Sequence, residues 1–575
     1  MKFKIHNTEA FDIDLIEKDI QNGITELHII ANTSDVPQKL NIAISWQMPD
    51  IGVHATWSPC NYKNKEIGPE WSGFERSCAM SSAPIYVDVS YDDMNRQTIA
   101  CADCKNTVEM HTGVIEETGC LDCVVKIFVD YTVSHYETVI RIDKRNIPFH
   151  IAIDDVRKWW ETFDGYTPAI VPSAAYDPVY STWYSFHQEI NVAEIVAECI
   201  YFSKLGCKTI IVDDGWQTDN NERGYDYCGD WCPTQSKIPD MKSFVDAVHE
   251  TGMKFMLWYS VPYVGAYSKV YDKFKDKMLC RREEDDGQTY VVDPRYPEIR
   301  EYLIGLYKKA VVEWGLDGFK LDFVDSFKQS DVVKEGMDYI SVYDAVDRLL
   351  KDVISALQEI KPDILIEFRQ SYMGPLMRTF GNMIRSFDCP ADSWANGVNT
   401  LALRLTSGNT AVHSDMVMWN YKECAEMAAF QLYRTLFSVP QISVRANLMD
   451  EKQAEMVKRY LQLWGTYRDV LLFGDMTYKG YVNNYLYVSA HNDKTQVGAV
   501  YSGRIAYIDT PTDEIVLFNT SMDDNVIIDV KNAGEYNCYI FDCCGNELSK
   551  KRLSLNELSV IHNVPINGAI ILNKC

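Results

Sequence analysis

Two charged side chains interrupt an apolar stretch, GFKLDF, that occupies residues 318–323. Lys320 and Asp322 alternate there with apolar residues, and alternate side chains of a β-strand share one face. The ammonium and the carboxylate therefore lie side by side, opposite the apolar face. A lysine next to an aspartate favours the ionised carboxylate, which is the form that attacks as a nucleophile.

Polar and aromatic side chains also follow other short apolar runs in the middle of the chain. The further candidates for a binding or catalytic site are Trp183, Tyr184, Asp213, Asp214, Trp216, Trp231, Trp258, Gln370, Ser371, Arg385 and Asp388. Carboxylates that converge from several strands repel one another, so such a cluster costs stability unless it serves a reaction. Taken singly, an aspartate after a strand is usually a helix cap and a tryptophan is usually core. We interpret His413 and Asp415 as a hydrogen-bonded pair.

Carboxylates among aromatic residues, without a metal-ligand pattern, indicate sugar chemistry. A retaining glycosidase uses one ionised carboxylate to attack the anomeric carbon and one protonated carboxyl, about 5 to 5.5 Å away, to release the leaving group. Asp322 suits the first role, and a carboxyl near the end of the run MIRSFD suits the second. The sequence has no G-x-G-x-x-G, P-loop, G-x-S-x-G or H-E-x-x-H motif that would indicate a competing chemistry.

The elements that carry these residues alternate between short apolar strands and amphipathic helices. Eight strand-like runs occur, namely VYSTWYS, TIIVDDGW, KFMLWYS, GFKLDF, ILIEFRQ, MIRSFD, AVHSDMV and QISVRANL. Most are followed by a helical or loop segment; the clearest helix begins at Pro297 and ends at Gly315. This alternation predicts an α/β fold with a central (β/α)8 barrel, whose active site lies at the carboxyl ends of the strands.

The regions on either side of the barrel consist of short alternating runs separated by turn residues. Residues 1–165 predict an N-terminal antiparallel β-sandwich, and residues 471–575 predict a small C-terminal β-domain. The catalytic barrel is then expected over residues 166–470. The chain is therefore predicted to be multidomain.

Composition excludes several other classes of protein. The formal net charge of −26 leaves no basic stripe to neutralise phosphates, so nucleic acid is not an expected partner. The sequence has no run of about 18 apolar residues, and its N-terminus lacks the apolar core of a secretory signal, so we expect no membrane partner. The 17 cysteines are therefore expected as reduced thiols of a cytoplasmic protein, and the acidic run at 283–286 as a solvated turn.

Four cysteines offer an alternative to the prediction that no cofactor is bound. Cys101 and Cys104, with Cys120 and Cys123, form two C-x-x-C pairs at a separation compatible with a zinc site. Both pairs lie in strand-like segments without the turn residues of a metal knuckle, and pairs arise by chance where cysteines are many. We favour the prediction without a metal and keep zinc as the alternative.

The motifs VDDGW, CGDW, GFKLDF and RSFD resemble those of the α-galactosidases of glycoside hydrolase family 36, with features of the raffinose-synthase-like branch. The resemblance is strongest over the barrel and also fits the three-part layout. It implies a retaining α-galactosidase that removes terminal α-linked galactose from oligosaccharides or glycoconjugates through a covalent glycosyl-aspartate. The oligomeric state stays open, a homo-oligomer included.

The resemblance also implies roles for individual residues. Asp322 is expected as the nucleophile and Asp388 as the acid/base, with Asp392 as the alternative. Activity would then be bell-shaped in pH, with the acidic limb reporting Asp322 and the alkaline limb Asp388. The implied sugar-binding residues are Asp213, Asp214 and Lys320 for hydroxyls, Trp183 and Trp231 for the wall of the subsite, and Arg385 near O2.

Two stretches depart from the family pattern. The segment after the fifth strand, which faces the C2 substituent of the sugar in the family, reads IEFRQSYMGP instead of a Cys or Ser with glycines. The usual Trp-x-Ser-Asp of the sixth strand reads RSFD, closer to the synthase-like branch. The alternatives are therefore an α-N-acetylgalactosaminidase, a galactosyl transferase of the raffinose-synthase type and, least favoured, a non-catalytic sugar-binding barrel.

Overall fold

The N-terminal part of the chain forms two antiparallel sheets. The computed structural model describes residues 2–6, 9–33, 36–61, 63–282, 287–509 and 512–575, so the turn expected at 283–286 lies outside the described residues. The five-stranded sheet has the spatial order Lys4–His6, Gln38–Pro49, Cys120–Val133, Thr107–Ile115 and Glu75–Ser77. The six-stranded sheet has the order Asp12–Gln21, Ile24–Asn32, His135–Asp143, Asn95–Cys101, Ile85–Val89 and Ala55–Trp57. Apolar residues of both sheets form one core between them, which confirms the predicted β-sandwich.

Eight parallel strands form the middle of the molecule. They are Val179–Ser181, Thr209–Val212, Lys254–Ser260, Gly318–Asp322, Leu365–Arg369, Met383–Arg385, Ala411–His413 and Gln441–Ile442, and we call them barrel strands one to eight. Each of strands one to six pairs with the next strand in the chain, and strand one also pairs with strand eight. Single bridges, such as that between His413 and Val439, link strand seven towards strand eight. The predicted (β/α)8 barrel is confirmed.

Helices connect the strands of the barrel. The α-helices are Phe149–Trp160, Trp183–Phe186, Val192–Leu205, Met241–Glu250, Lys269–Phe274, Pro297–Lys309, Val342–Gln358, Ser393–Ser407, Ala425–Ala428, Phe430–Tyr433 and Glu451–Phe473. Short 3₁₀ turns occupy Ser173–Tyr176, Lys275–Lys277, Val324–Ser326, Met377–Thr379, Ala446–Leu448 and Tyr481–Asn483. The helix expected from Pro297 is present; its last turn, Ala310–Trp314, is π-helical, and left-handed Gly315 follows it.

Two further β-regions complete the molecule. Tyr263–Gly265, Thr289–Val292 and Met278–Arg281 form a three-stranded sheet between barrel strands three and four, which the sequence pattern did not predict. The C-terminal seven-stranded sheet contains Asp475–Lys479, Tyr487–His491, Thr495–Val500, Glu514–Asn519, Ala569–Lys574, Gly534–Phe541 and Glu547–Leu555. Its partner sheet contains Ile505–Ile508, Val526–Val530 and Leu558–Ile561. The C-terminal β-domain is therefore present, while the exact boundaries at 165 and 470 stay predictions.

The four cysteines of the zinc alternative do not form a metal site. Cys101 belongs to the six-stranded sheet, whereas Cys120 and Cys123 begin a strand of the five-stranded sheet. Burial raises the pKa of the Cys101 and Cys123 thiols to about 12, which opposes the thiolate that zinc requires. Throughout the described part of the chain, no group of three or more His, Cys, Asp or Glu side chains could hold a metal ion. No helix in those same residues is long and apolar enough to cross a membrane.

Candidate active site

Barrel strand four places Lys320 and Asp322 inside the barrel. Both side chains are buried, and they share the inner face that the alternation of GFKLDF predicts. Phe319, on the opposite face, packs its ring against Tyr307 of the helix Pro297–Lys309, with ring centroids 5.4 Å apart. The apolar face therefore anchors the strand under a helix, while the charged pair faces the interior at the carboxyl end.

Asp322 accepts hydrogen bonds from four donors. Its Oδ1 accepts from the Phe323 backbone N–H at 2.8 Å, from Arg369 Nε at 2.8 Å, and from the Tyr372 hydroxyl. Its Oδ2 accepts from Trp258 Nε1 at 3.0 Å. The donors come from barrel strands three to five and the loop that follows strand five, so the barrel itself fixes the orientation of the carboxylate.

The charge of Asp322 is set by these partners and not by burial. Burial alone would raise the pKa of the carboxyl, but the nearby cations Arg369 and Lys320 lower it, and the hydrogen bonds from Tyr372 and Trp258 lower it further. The pKa of Asp322 therefore lies well below its ordinary value. The carboxylate is therefore ionised at neutral pH, as a nucleophile requires.

Lys320 makes its direct ion pair with Asp213, at 2.7 Å, and acts on Asp322 only through its charge. Burial would lower the pKa of Lys320, but the negative charges of Asp213, Asp322 and Asp388 together outweigh it and the pKa is raised. Asp214 is held differently, by amide groups, because Gln188 Nε2 and Gln217 Nε2 donate to it at 2.6 and 2.7 Å. Burial raises the pKa of Asp214 to about 6. The two adjacent aspartates therefore differ in their partners, a lysine for Asp213 and two amides for Asp214.

Asp388 lies at the open side of the cluster. Its side chain is 55% exposed, and one carboxylate oxygen pairs with Arg385 Nη2 at 2.8 Å. Surrounding protein atoms would raise its pKa, but Arg385, Lys320 and Arg369 together lower it. An acid/base residue at this position is reachable by a substrate, and it carries a negative charge in the resting protein.

Arg385 also binds Asp415, which corrects one interpretation of the sequence. Asp415 accepts hydrogen bonds from Arg385 Nη1, from the Tyr184 hydroxyl at 3.0 Å and from the backbone N–H of Cys389 at 2.7 Å. His413 instead contacts the carbonyl of Ala175 at 2.8 Å. The predicted pair of His413 and Asp415 is therefore wrong, because strand seven ends at His413 and Asp415 extends past it toward the cluster.

Three of the predicted tryptophans lie at the candidate site, and a fourth packs behind them. Trp258 contacts Asp322 directly, and Trp231 packs edge-on against Trp258, with ring centroids 5.8 Å apart. Trp183 is partly exposed at the rim, where the Arg223 guanidinium lies 5.3 Å from its ring centroid. Trp216 is fully buried and donates its indole N–H to the Trp258 carbonyl at 2.9 Å, so it supports Trp258 from behind.

Gln370 and Ser371 join the barrel to the β-sandwich. The side-chain amide of Gln370 donates to the Pro59 carbonyl at 3.2 Å, and the Ser371 carbonyl accepts from the Ser82 backbone N–H at 2.7 Å. Gln370 is completely buried in this contact. These two predicted sugar-binding residues therefore link the N-terminal domain to the edge of the cluster, where Gln370 Oε1 accepts from the Phe387 backbone N–H at 3.2 Å.

Three residues next to the candidate site escaped the sequence analysis. Arg369 and Tyr372 contact Asp322, and Glu367 lies beside Lys320 in the register of strands four and five. Burial raises the pKa of Glu367 to about 7. The sequence EFR at residues 367–369 could have indicated two of them, because its charged residues flank an apolar one as they do in KLD at residues 320–322.

Comparisons with known proteins agree with this geometry. Residues 176–374, which span the first five barrel strands, match the melibiase family. A curated relative from Flavonifractor plautii, an A type blood α-D-galactosamine galactosaminidase, is 27% identical over 28% of this chain. An α-galactosidase of Lactobacillus acidophilus is 26% identical over 32% of this chain. The matched segments span only 16% and 26% of these two relatives' own lengths.

Solved structures match over the whole chain. The α-galactosidase of Lactobacillus brevis has a TM-score of 0.64 at 13% identity, with 100% of this chain and 85% of that chain covered. A glycoside hydrolase family 36 α-galactosidase of Geobacillus stearothermophilus, in complex with raffinose, has a TM-score of 0.62 at 13% identity, with 98% and 81% covered. At this identity the likeness establishes the fold, and the raffinose-synthase-like branch stays a prediction. Residues 176–374 therefore resemble the melibiase family, and the chain has the fold of the glycoside hydrolase family 36 α-galactosidases.

Proposed function

We propose that this protein is a retaining α-galactosidase that hydrolyses terminal α-linked galactose from oligosaccharides or glycoconjugates. The observation that carries the proposal is the ionised Asp322, fixed at the carboxyl end of barrel strand four, with the solvent-accessible Asp388 three residues past the end of strand six. An ionised, oriented carboxylate paired with a reachable second carboxyl is what double displacement at an anomeric carbon needs.

In the first step Asp322 attacks the anomeric carbon of the bound sugar. A bond forms between a carboxylate oxygen and that carbon, the glycosidic C–O bond breaks, and Asp388 gives its proton to the departing oxygen. In the second step a water molecule gives a proton to Asp388 and attacks the same carbon. Asp322 then leaves as a carboxylate, so protons and charges return to their starting places.

The proton on Asp388 sets the pH range of this reaction. Arg385 and the other nearby cations hold the pKa of Asp388 low, so the protonated form declines as the pH rises. A general acid works only while it is protonated, so activity falls through the pKa of Asp388. We therefore expect the alkaline limb of kcat/KM on the acidic side of neutrality, with an acidic optimum.

Two carboxylates and a lysine of the same cluster are available to bind the hydroxyl groups of the sugar. Asp213 and Lys320 form a buried ion pair, and Asp214 next to them accepts two amide hydrogen bonds. Such groups bind hydroxyls by accepting and donating in fixed directions. Trp258 and Trp231 supply aromatic surface for the apolar face of the ring.

A second candidate, removal of α-linked N-acetylgalactosamine, rests on one specific observation. The curated relative from Flavonifractor plautii is a galactosaminidase, and the stretch that faces C2 in the family reads IEFRQSYMGP here instead of a Cys or Ser with glycines. Arg369 belongs to this stretch and donates to Asp322, so the stretch brings a guanidinium group to the candidate site. The same covalent intermediate would also permit transfer to an acceptor sugar in place of water.

The test is turnover of a panel of p-nitrophenyl α-glycosides that includes the galactoside, the N-acetylgalactosaminide and the glucoside. We expect the highest kcat/KM for the galactoside, with release of α-galactose as the first-formed sugar. Preference for the N-acetylgalactosaminide would replace the first candidate with the second. Product analysis with an added acceptor sugar separates hydrolysis from transfer, and binding without turnover across the panel would contradict an enzymatic role.

A further inference from the structure

We infer that Tyr372 and Arg369 are positioning residues that hold one oxygen of Asp322, and that they accelerate the second step of the proposed reaction more than the first. The inference rests on the proposed function, because it concerns the glycosyl-aspartate that the first step forms. Both residues lie in the stretch IEFRQSYMGP, and neither is among the site residues that the sequence predicted.

The two oxygens of Asp322 have unequal partners. Oδ1 accepts three hydrogen bonds, from Phe323, Arg369 and Tyr372. Oδ2 accepts one, from Trp258, and the described residues provide it with no second donor. Because a carboxylate oxygen offers about two lone pairs, Oδ1 is saturated and Oδ2 keeps a lone pair. Oδ2 is therefore the oxygen that attacks, and Oδ1 becomes the carbonyl oxygen of the ester.

The donors to Oδ1 are themselves held in place. Arg369 Nη1 donates to the Gln370 carbonyl at 2.8 Å, and the guanidinium carbon lies 5.0 Å from the ring centroid of Tyr372. Tyr372 is completely buried. Phe323 has a positive φ of 63°, a conformation unusual for an aromatic residue, and its N–H is directed at both Asp322 and the Tyr372 hydroxyl. Buried donors with fixed geometry act on the charge of Asp322 at every stage of the reaction.

The charge on Asp322 changes in opposite directions in the two steps. In the first step the carboxylate loses its negative charge as Oδ2 bonds to the anomeric carbon, so donors to Oδ1 stabilise the starting state more than the transition state. In the second step the ester regains that charge as the C–Oδ2 bond breaks, so the same donors stabilise the transition state more than the starting ester. The donors to Oδ1 therefore accelerate the second step and not the first, because a group speeds a step only when it stabilises the transition state more than the starting state.

Other charged and titratable groups also face Asp322, and none of them is changed in the test below. They are Lys320 on its own strand, Asp325 in the loop after that strand, Tyr225 after strand two, Tyr263 after strand three, and Asp388 after strand six. Lys320 provides a second positive charge, so Asp322 remains ionised at neutral pH when a single donor is removed.

The test compares Tyr372→Phe with the wild-type protein on p-nitrophenyl α-galactoside, whose good leaving group makes the second step limiting. We expect kcat to fall about tenfold or more, as for removal of one donor to a developing charge, while kcat/KM changes about threefold or less. Intact-mass spectrometry of protein quenched at steady state should show the mass of one attached galactosyl group on a larger fraction of the variant. The acidic limb of the kcat/KM profile should move to higher pH.

Tyr467→Phe is the matched control. Tyr467 is also buried, and its hydroxyl also donates to a carboxylate, Glu514 at 3.1 Å, but it joins the last barrel helix to the C-terminal domain. The control removes the same kind of bond far from Asp322, so it should leave kcat, the acidic limb and the fraction of glycosylated protein unchanged.

Arg369 extends the test to the charged donor. Arg369→Met should show the same pattern more strongly, and Arg369→Lys, which restores the charge, should recover part of kcat. If Tyr372→Phe and Arg369→Met lower kcat and kcat/KM equally without added glycosylated protein, the inference is overturned while the proposed function stands. If the wild-type protein turns over no α-glycoside of the panel, the proposed function fails and the inference fails with it.

Discussion

Two buried aspartates, Asp322 in the barrel and Asp88 in the N-terminal sandwich, show what decides the charge of a carboxyl in this molecule. Asp322 is 6% exposed and Asp88 is fully buried, and each accepts hydrogen bonds from side chains. The donors to Asp88 are neutral, namely Gln97 Nε2 at 3.1 Å and Thr112 Oγ1 at 3.3 Å. Burial raises the pKa of Asp88 to about 7, whereas the pKa of Asp322 is lowered far below its ordinary value.

The difference lies in the charge of the donors and not in the depth of burial. Arg369 brings a full positive charge into direct contact with Asp322, while Lys144 acts on Asp88 only from a distance. The Oδ1 atom of Asp88 has no hydrogen-bond partner among the residues that the structure describes. A carboxyl with neutral partners stays close to its protonated form, and one with a cationic partner is available as a nucleophile. Each aspartate can be tested by the same conservative change.

Asp322→Asn should have the largest effect of the variants considered, a loss of turnover of about 10⁴-fold or more, because an amide cannot form the glycosyl ester. Asp88→Asn should leave the turnover of an aryl α-galactoside unchanged. Circular dichroism and the melting temperature show whether each variant remains folded. A folded Asp322→Asn protein with normal activity would show that the nucleophile lies elsewhere.

Asp388 differs from both buried aspartates, because it has a cationic partner but remains exposed. Asp388→Asn removes the proposed proton donor, so we expect turnover to fall about 10²- to 10⁴-fold for an unactivated oligosaccharide and much less for an aryl galactoside with a good leaving group. The alkaline limb of the kcat/KM profile should disappear, since the group whose deprotonation limits activity is absent. Equal losses on the two substrates, with the alkaline limb intact, would assign the proton to another group.

Asp88→Asn should change stability where it does not change turnover. The pKa of Asp88 in the folded protein, about 7, lies above its ordinary value of 3.8, so the folded state binds the extra proton between these values. Stability is therefore greatest below 3.8 and is lost as the pH rises toward 7. Asparagine does not ionise, so the variant keeps the stability that the wild-type protein loses as the pH rises. The variant should therefore be more stable than the wild-type protein by about 1 to 3 kcal/mol at pH 8. Urea unfolding at pH 5 and pH 8 measures the difference, and an equal effect at both pH values would contradict it.

The sequence predicted the strands and the principal charged residues because both follow local rules. The alternation of GFKLDF was enough to place Lys320 and Asp322 together inside the barrel, and the order of eight strand-like runs was enough to predict the barrel itself. The three-stranded sheet between strands three and four was missed, because its strands are short and lie inside what the pattern presents as one connection.

The partners of these residues could not be predicted, because they depend on contacts between distant parts of the chain. Arg369 and Tyr372 reach Asp322 only when strands four and five lie side by side. Gln370 was expected at the sugar, yet its amide binds the Pro59 carbonyl, 311 residues away in the sequence. Trp216 was expected there as well, and the fold places it behind Trp258. Spacing along the chain indicates the face of a strand but not the neighbour that the side chain meets.

Asp392 differs from the other three aspartates, because it is exposed and its hydrogen-bond partner is a backbone amide. Its side chain accepts from the Ala395 N–H at 2.9 Å and caps the N-terminus of the helix Ser393–Ser407, so we favour a structural role for Asp392. Asp392→Ala should therefore cost about 0.5 to 2 kcal/mol of unfolding free energy and leave the alkaline limb in place. Asp392→Ser, which can still cap, should recover most of the stability. If instead Asp392→Ala abolished the alkaline limb while Asp388→Asn preserved it, the proton donor would be Asp392, and an exposed position with no cationic partner would be sufficient for that role.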